Sequence, residues 1–359
     1  MYNDSFNKTK TFLKYYGYVT TTDNSIYSYE VLDDGSFKQI GQPVTGLNAP
    51  KRLVVHPSGD YIYAGSTGSI LCFKTEQNGT LTQLEPFVNP TVSFHTLVVH
   101  PSGKYLYAIS HEDANVYVFN INRDGTLAAG INIEREGISN GIAINSTGTM
   151  VFVSTSYADY PYIYSYQISD TGSLTNSKTY DDYSNNNSTY FNNLAIHPTG
   201  KYLYIIYKET SPLKSSIFIL DIQNDGSLTN LLVPNSEADG ILADLQEVNA
   251  PDIFINPVSK NLYVTIKTKP GVVFGVLNDG NIFKISENVQ IPGTIPTFIE
   301  VHPDGKNVYI VDSGAQKSLI RYTAESGGTL FFNNFTAELT SGNPVDVKIC
   351  TKTVFGEAK

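Results

Sequence analysis

Seven short glycine turns recur along this chain, each followed by the same kind of β-rich run: Asp34-Gly35, Asn78-Gly79, Asp124-Gly125, Thr171-Gly172, Asp225-Gly226, Asp279-Gly280 and Gly327-Gly328. The glycines are spaced 44, 46, 47, 54, 54 and 48 residues apart. A repeat of that length is one supersecondary unit that cannot bury its own apolar face. Copies must stack side by side, which restricts the chain to a solenoid or a propeller. Length alone, at 359 residues, would suggest two domains. Equivalent units from end to end leave no break for a linker, so one domain spanning 1–359 is expected, with 1–14 as a flexible or loosely packed N-terminal segment.

One unit shows the pattern. Leu97-Val98-Val99-His100-Pro101-Ser102-Gly103-Lys104-Tyr105-Leu106-Tyr107-Ala108-Ile109 reads as a strand, a turn and a second strand. Proline followed two places on by glycine suits a type I turn. Asn115 to Ile121 supplies a third strand, and Asp124-Gly125 turns the chain into a fourth. Four antiparallel strands in about 45 residues make a propeller blade. The same order returns in Leu53–Leu84, Ile142–Leu174, Leu194–Leu228, Ile253–Phe283 and Ile299–Leu330. The turn proline recurs at Pro57, Pro101, Pro198, Pro257 and Pro303, with Ser146 in its place once. Runs apolar on both faces fit blades sandwiched between neighbours.

There are seven glycine turns but six internal copies of the proline turn. The chain therefore starts in mid-blade, with Tyr15–Thr20, Ser25–Val31 and Ser36–Ile40 as second, third and fourth strands. The missing first strand is expected at Val345–Thr351, closing an all-β, seven-bladed β-propeller with the two chain ends and leaving no open edge.

Composition narrows the function. A net charge of −10 and only four arginines (Arg52, Arg123, Arg135, Arg321) argue against nucleic acid and against a strong phosphate clamp. No apolar run approaches the roughly 18 residues of a membrane span. Cys72 and Cys350 lie in strand-like runs and read as small buried hydrophobes. The start Met1-Tyr2-Asn3-Asp4-Ser5 lacks a signal-peptide core, yet low charge with abundant Asn, Thr and Tyr favours an extracytoplasmic home over a cytoplasmic one. No zinc spacing, phosphate loop, nucleophile elbow or dinucleotide fingerprint occurs, so no cofactor and no metal is expected. A monomer is expected.

The repeated His-Pro-Ser-Gly-Lys-Tyr-Leu-Tyr units with their Gly-Thr-Leu or Gly-Ser-Leu hairpins resemble the seven-bladed lactonase propellers. That family includes propeller-type 6-phosphogluconolactonase and carboxymuconate cycloisomerase. The resemblance places ligands at one mouth of the central channel, lined by the residues leading into each first strand and by the loops joining second and third strands. Counting six and five places back from the turn proline gives Lys51, His95, Asn140, Asn192, Pro251 and Thr297, then Arg52, Thr96, Gly141, Asn193, Asp252 and Phe298. The second-to-third loops add His111, Glu112, Asp113, Lys208, Glu209, Lys267 and Asp312.

The family carries an Arg-His pair just ahead of one first strand. Asn192-Asn193 stand there in this chain. Glu209 matches a family glutamate, His95 a family histidine and Asp252 an acidic position, while Lys267 replaces an arginine. Calcium-dependent propeller lactonases use a spread Glu/Asn/Asn/Asp set, to which Asn140, Asn192, Asn193 and Asp252 bear a partial likeness. His56, His100, His197 and His302 sit in the repeated turn and read as structural. Arg135, between Glu134 and Glu136, reads as part of a solvated charge run.

Two functions are compatible. The first is a binding propeller of lactonase ancestry, taking a small sugar-acid lactone or a protein or glycan ligand at the channel mouth. It is favoured by the absent Arg-His pair and by long segments at Tyr180–Tyr190 and Pro234–Asp252. The second is a lactone hydrolase with a diverged site. It would use Glu209 or Asp252 as base, His95 as acid-base partner and Lys267 or Lys51 against the oxyanion, with Lys51, Arg52, Asn140, Asn192, Asn193 and His111 binding substrate.

Overall fold

The computed structural model describes residues 10–135, 137–157, 160–181, 189–210, 213–230, 241–244, 252–265, 271–289, 295–314, 318–325, 327–338 and 342–356. It is a seven-bladed β-propeller of seven antiparallel sheets. Blade one holds Pro344–Gly356, Lys10–Thr21, Ser25–Val31 and Phe37–Gln39, in that spatial order. The tail thus lies beside the beginning of the chain, with Tyr15 opposite Thr351 and Val19 opposite Val347. The pairing runs on past Tyr15 to Lys10 opposite Gly356, although Leu13 in that extension is exposed.

Blade two holds Leu53–Val55, Tyr61–Thr75 and Leu81–Gln83. Its long strand folds back on itself at Gly68, where φ is +76°, so that Thr75 N–H reaches the Asp60 carbonyl at 2.9 Å. Blade three holds Phe87–Val99, Tyr105–Ser110, Val116–Ile121 and Leu127–Ala129. Blade four holds Ile138–Ile144, Met150–Tyr157, Tyr160–Ile168 and Leu174–Asp181. Blade five holds Thr189–Ile196, Tyr202–Thr210 and Leu213–Ile222. Its outer position is shared by Leu228–Asn230 and Ile241–Asp244, which pair with opposite ends of the third strand. Blade six holds Asp252–Ile255, Leu262–Thr265, Gly271–Val276 and Ile282–Val289, and blade seven Pro296–Val301, Asn307–Asp312, Ser318–Ala324 and Leu330–Glu338.

The core is a set of seven apolar layers, one between each blade and the next. Leu203, Ile205 and Tyr207 pack toward blade four, while Tyr204 and Ile206 on the same strand pack toward blade six. Alternate residues point to opposite faces of a strand, and here both faces are buried, which is why the strands lack polar alternation. The seventh layer joins Phe298, Tyr309 and Leu319 of blade seven to Val19, Tyr29 and Val347 of blade one, so the ring of apolar contacts is complete.

Two side-chain devices stitch the layers, not both at every one. In the first, a tyrosine on a blade's second strand, usually the second of a Tyr-X-Tyr, donates its hydroxyl to the carbonyl of the next blade's turn glycine; in blade four Ser165 does so to Gly226. Tyr18 reaches Gly79, Tyr107 reaches Gly172 and Tyr204 reaches Gly280, each at 2.9 Å, and Tyr309 reaches Gly35 at 2.8 Å across the closure. The first tyrosine lies against the same glycine. A Cβ on Gly172 would sit 2.3 Å from the Tyr105 ring, and its φ is +77°. Only glycine meets both conditions.

In the second device, the histidine of the His-Pro turn reaches the turn glycine of the following blade. Nε2 of His56 contacts the Gly103 carbonyl and that of His100 the Gly148 carbonyl, both at 2.8 Å. Asn256 does the same to Gly305 at 3.0 Å, and Cys350 Sγ stands 3.3 Å from the Gly59 carbonyl. Cys72 and Cys350 are both buried free thiols.

We expect Gly172→Ala to cost about 2–4 kcal/mol, combining left-handed backbone strain with overpacking. Tyr107→Phe should cost about 1 kcal/mol for one lost hydrogen bond. Urea midpoints of the two variants check the order; equal losses would refute the role given to the glycine.

Candidate functional site

First strands line the central channel, and the residues leading into them form its mouth. A cavity of about 450 Å³ there is lined by Lys51, Arg52, His95, His111, Asn140, Asn192, Asn193, Thr297, Phe298 and Val345. The six residues expected to bind substrate and His95 therefore share one cavity. Beneath it lies a second cavity of about 240 Å³, whose lining includes Arg52, Asn193, Phe298, Asp252, Asp346 and Lys348. Arg52, Asn193 and Phe298 form the floor of one and the roof of the other.

Asp252 lies in the lower cavity, fully engaged. Its Oδ1 accepts from Asn193 Nδ2 at 3.0 Å and faces both Arg52 guanidinium NH₂ groups at 3.5 Å, while Oδ2 accepts from Ile299 N–H at 3.3 Å. Burial pushes its pKa up, and Arg52 and Lys348 pull against that shift. Glu209 stands on the second strand of blade five, opposite Thr189 and Lys214. The Glu209 side chain and Lys267 lie outside the described residues, as do most of Tyr180–Tyr190 and Pro234–Asp252. The part of the second segment that is described, Ile241–Asp244, is strand rather than loop.

At the mouth, the rings of His95 and His111 lie 3.7 Å apart between centroids. His111 Nδ1 meets the Ser139 carbonyl at 2.7 Å. A carbonyl only accepts, so Nδ1 carries the proton and Nε2 keeps its lone pair. Burial lowers the pKa of His111, with the Ser139 bond opposing and Lys51 and Arg52 reinforcing. Burial, then His111, Arg52 and Lys51, drive His95 down to about 2, so this imidazole is neutral near pH 7. Lys51 Nζ donates to Ser93 Oγ; burial lowers its pKa and Glu112 opposes that shift. Glu112 itself accepts from Ser93 N–H at 3.2 Å.

Three buried carboxylates around the channel share one arrangement. Each accepts a backbone N–H from the next blade's first strand: Asp252 from Ile299, Glu300 from Ile349 at 3.3 Å and Asp346 from Leu53 at 2.7 Å. Their cations are Arg52 and Lys348. Lys348 Nζ reaches Glu300 Oε2 at 2.5 Å, and both cations stand 4.6 Å from the centroid of the Phe298 ring. Burial works against the charge on Lys348, but Glu300 and Asp346 outweigh it and raise its pKa.

Asp346, Glu300 and Lys348 were not among the residues counted from the turn proline. Cys350 occupies the histidine place of the closing blade, so Thr351 occupies the proline place. Six and five places back from Thr351 stand Val345 and Asp346.

This chain belongs to the lactonase family of seven-bladed β-propellers. The family model described as "Lactonase, 7-bladed beta-propeller" matches residues 15–349. No curated protein matches the chain. Among solved structures, it is similar to a protein from Lactobacillus plantarum (17% identity, TM-score 0.76, covering 94% of this chain and 99% of that one). It is also similar to the periplasmic gluconolactonase PpgL of Pseudomonas aeruginosa (15% identity, TM-score 0.74, 94% and 99%). A third is a Bacteroides uniformis protein provisionally named a 6-phosphogluconolactonase (17% identity, TM-score 0.72, 94% and 99%). At these identities the likeness carries the fold. Among the described residues no helix is long and apolar enough to cross a membrane.

A pH dependence follows from Asp346, whose proton is held to about pH 7 by burial, against an ordinary value of 3.8. Between those values the folded state binds more protons than the unfolded one, so this group's contribution to stability falls as pH rises. Asp346→Asn removes that slope. Its urea midpoint relative to wild type should therefore rise from pH 4 to pH 7, and a difference independent of pH would refute the assignment.

Proposed function

We propose that the channel-mouth cavity binds a small, anionic, polyhydroxylated molecule, a sugar acid or its lactone. The observation that carries this reading is the grouping of Lys51 and Arg52 with two imidazoles and the amides of Asn140, Asn192 and Asn193 around one cavity. Cations meet a carboxylate, while amides and imidazoles meet hydroxyls. Family membership and the gluconolactonase name of a structural neighbour agree with that ligand class.

Binding is favoured over catalysis because, among the described residues, the nearby carboxylates are committed elsewhere. Asp252 anchors Arg52, and Glu112 accepts from Ser93. One feature supports a second reading, lactone hydrolysis. With Nδ1 fixed on Ser139, His111 presents Nε2 as a base of defined tautomer beside Arg52 and Lys51. In that reading Nε2 takes a proton from water as the oxygen attacks the lactone carbonyl. The cations hold the oxyanion, and the ring oxygen leaves with the proton.

Calorimetry with D-gluconate tests the first reading: Lys51→Met should weaken binding about tenfold. Absence of binding by the wild type, or an unchanged affinity in the variant, would sink it. Hydrolysis of glucono-δ-lactone tests the second. The hydrolase reading expects a rate above that of buffer, falling about a hundredfold in His111→Asn; a wild-type rate equal to buffer leaves binding alone.

A further inference from the structure

A third cavity, of about 620 Å³, opens between blades three and four. Its lining is Asn115, Glu134, Arg135, Tyr157, Tyr162 and Tyr164. Tyr162 and Tyr164 stand two residues apart on the third strand of blade four and so share a face. Their rings are nearly parallel, 12° apart with centroids at 6.4 Å. Tyr157, at the end of the preceding strand, is 46% exposed.

Arg135 is not part of a solvated charge run. Its guanidinium lies over Tyr164 at 5.1 Å and Tyr166 at 5.6 Å, and it donates to the Glu134 carbonyl at 3.1 Å and to Ser177 Oγ at 3.2 Å. The backbone beneath is pinned as well. Arg135 N–H donates to Asn115 Oδ1 at 3.1 Å, and Ser139 N–H donates to the Asp113 carbonyl at 3.1 Å. These bonds tie the segment leading into blade four to the second-to-third loop of blade three. The resulting ridge has the cleft on one side and, through His111 and Asn140, the channel mouth on the other.

We propose that this cleft is a carbohydrate-binding site for rings of a neutral oligosaccharide. A pyranose has a C–H face that packs on an aromatic ring, and a rim of adjacent hydroxyls that pairs with planar side chains. Among the described residues the cleft supplies tyrosine rings together with one amide, one carboxylate and one guanidinium, and no aliphatic side chain. Of these, Glu134 and Arg135 are the charged pair and cancel, which suits a neutral ligand. A polyanion is disfavoured by a single cation on a chain of net charge −10. An extended peptide would call for apolar side-chain pockets or a free sheet edge, neither of which the lining provides. The site is independent of the sugar-acid reading of the mouth, since it shares none of the mouth's lining residues.

The chain contains no tryptophan, so Tyr157→Trp places a sole indole reporter on the cleft. Maltohexaose, cellohexaose and chitohexaose, each titrated to about 5 mM, are the probes. At least one should shift the indole emission saturably. By calorimetry on the chain without the reporter, that saccharide should bind Tyr162→Ala at least about tenfold more weakly and Tyr162→Phe nearly as well as wild type. Glu134→Ala, an exposed position, should also weaken binding and keeps the test open should Tyr162→Ala unfold by circular dichroism. Lys51→Met, at the mouth, should leave saccharide affinity unchanged. The proposal is overturned by the absence of a shift with all three saccharides, by Glu134→Ala binding like wild type, by loss of affinity in Lys51→Met, or by a proline-rich peptide shifting the indole where no saccharide does.

Discussion

Carbonyl oxygens of turn glycines are the points at which one blade grips the next. A buried carbonyl without a donor is costly, and nine of these are met by a side chain from the preceding blade: a tyrosine or serine hydroxyl at Gly35, Gly79, Gly172, Gly226 and Gly280, and an imidazole, amide or thiol at Gly59, Gly103, Gly148 and Gly305. The donor's own burial depends in turn on the apolar layer around it. Packing and hydrogen bonding therefore support one another at every interface, and neither can be lost locally without loosening the neighbouring blade. The closure between blades seven and one uses the same parts, with Tyr309 bonded to Gly35 amid the seventh layer. The ring is continuous in chemistry as well as in shape.

Close approach of first strands at the channel axis creates a different problem. Backbone N–H groups there face a narrow space with little room for water. Around blades six, seven, one and two the solution is a carboxylate from each blade to the N–H of the next, and Arg52 and Lys348 balance the resulting charge. Such buried ions are tolerated only when their bonds are satisfied. This accounts for the way Asp252 holds Arg52 at the floor of the mouth. The cation that a ligand would meet is thus positioned by the same carboxylate that pins blade six to blade seven.

The repeat made most of this architecture readable. Glycine spacing set the number of blades, and the mismatch between seven glycine turns and six proline turns located the closing strand at Val345–Thr351. The turn histidines were recognisable as structural because they recur with the turn. The central ion cluster was hidden because the count was anchored on proline. In the closing blade Thr351 stands in that place, and the register carries over only once Cys350 is seen to do the work of a histidine. The role of Arg135 is not legible in the sequence for a related reason. Flanking glutamates suggest solvent, whereas its stacking on Tyr164 and Tyr166 depends on which strand of the next blade lies opposite, a relation no local pattern encodes.

Asn192 and Asn193 lead into the first strand of blade five and line the channel mouth. Asn193 donates to Asp252 from the same layer as Arg52. An amide in that place satisfies the carboxylate without adding charge. A second cation there would instead deepen the positive field at the floor. With amides in both places, the mouth keeps Lys51 and Arg52 as its cations and gains donors and acceptors suited to neutral hydroxyls. The two asparagines lie in the run leading into a first strand, away from the glycine carbonyls that bind the blades together, and Asn193 adds its own bond from blade five to blade six.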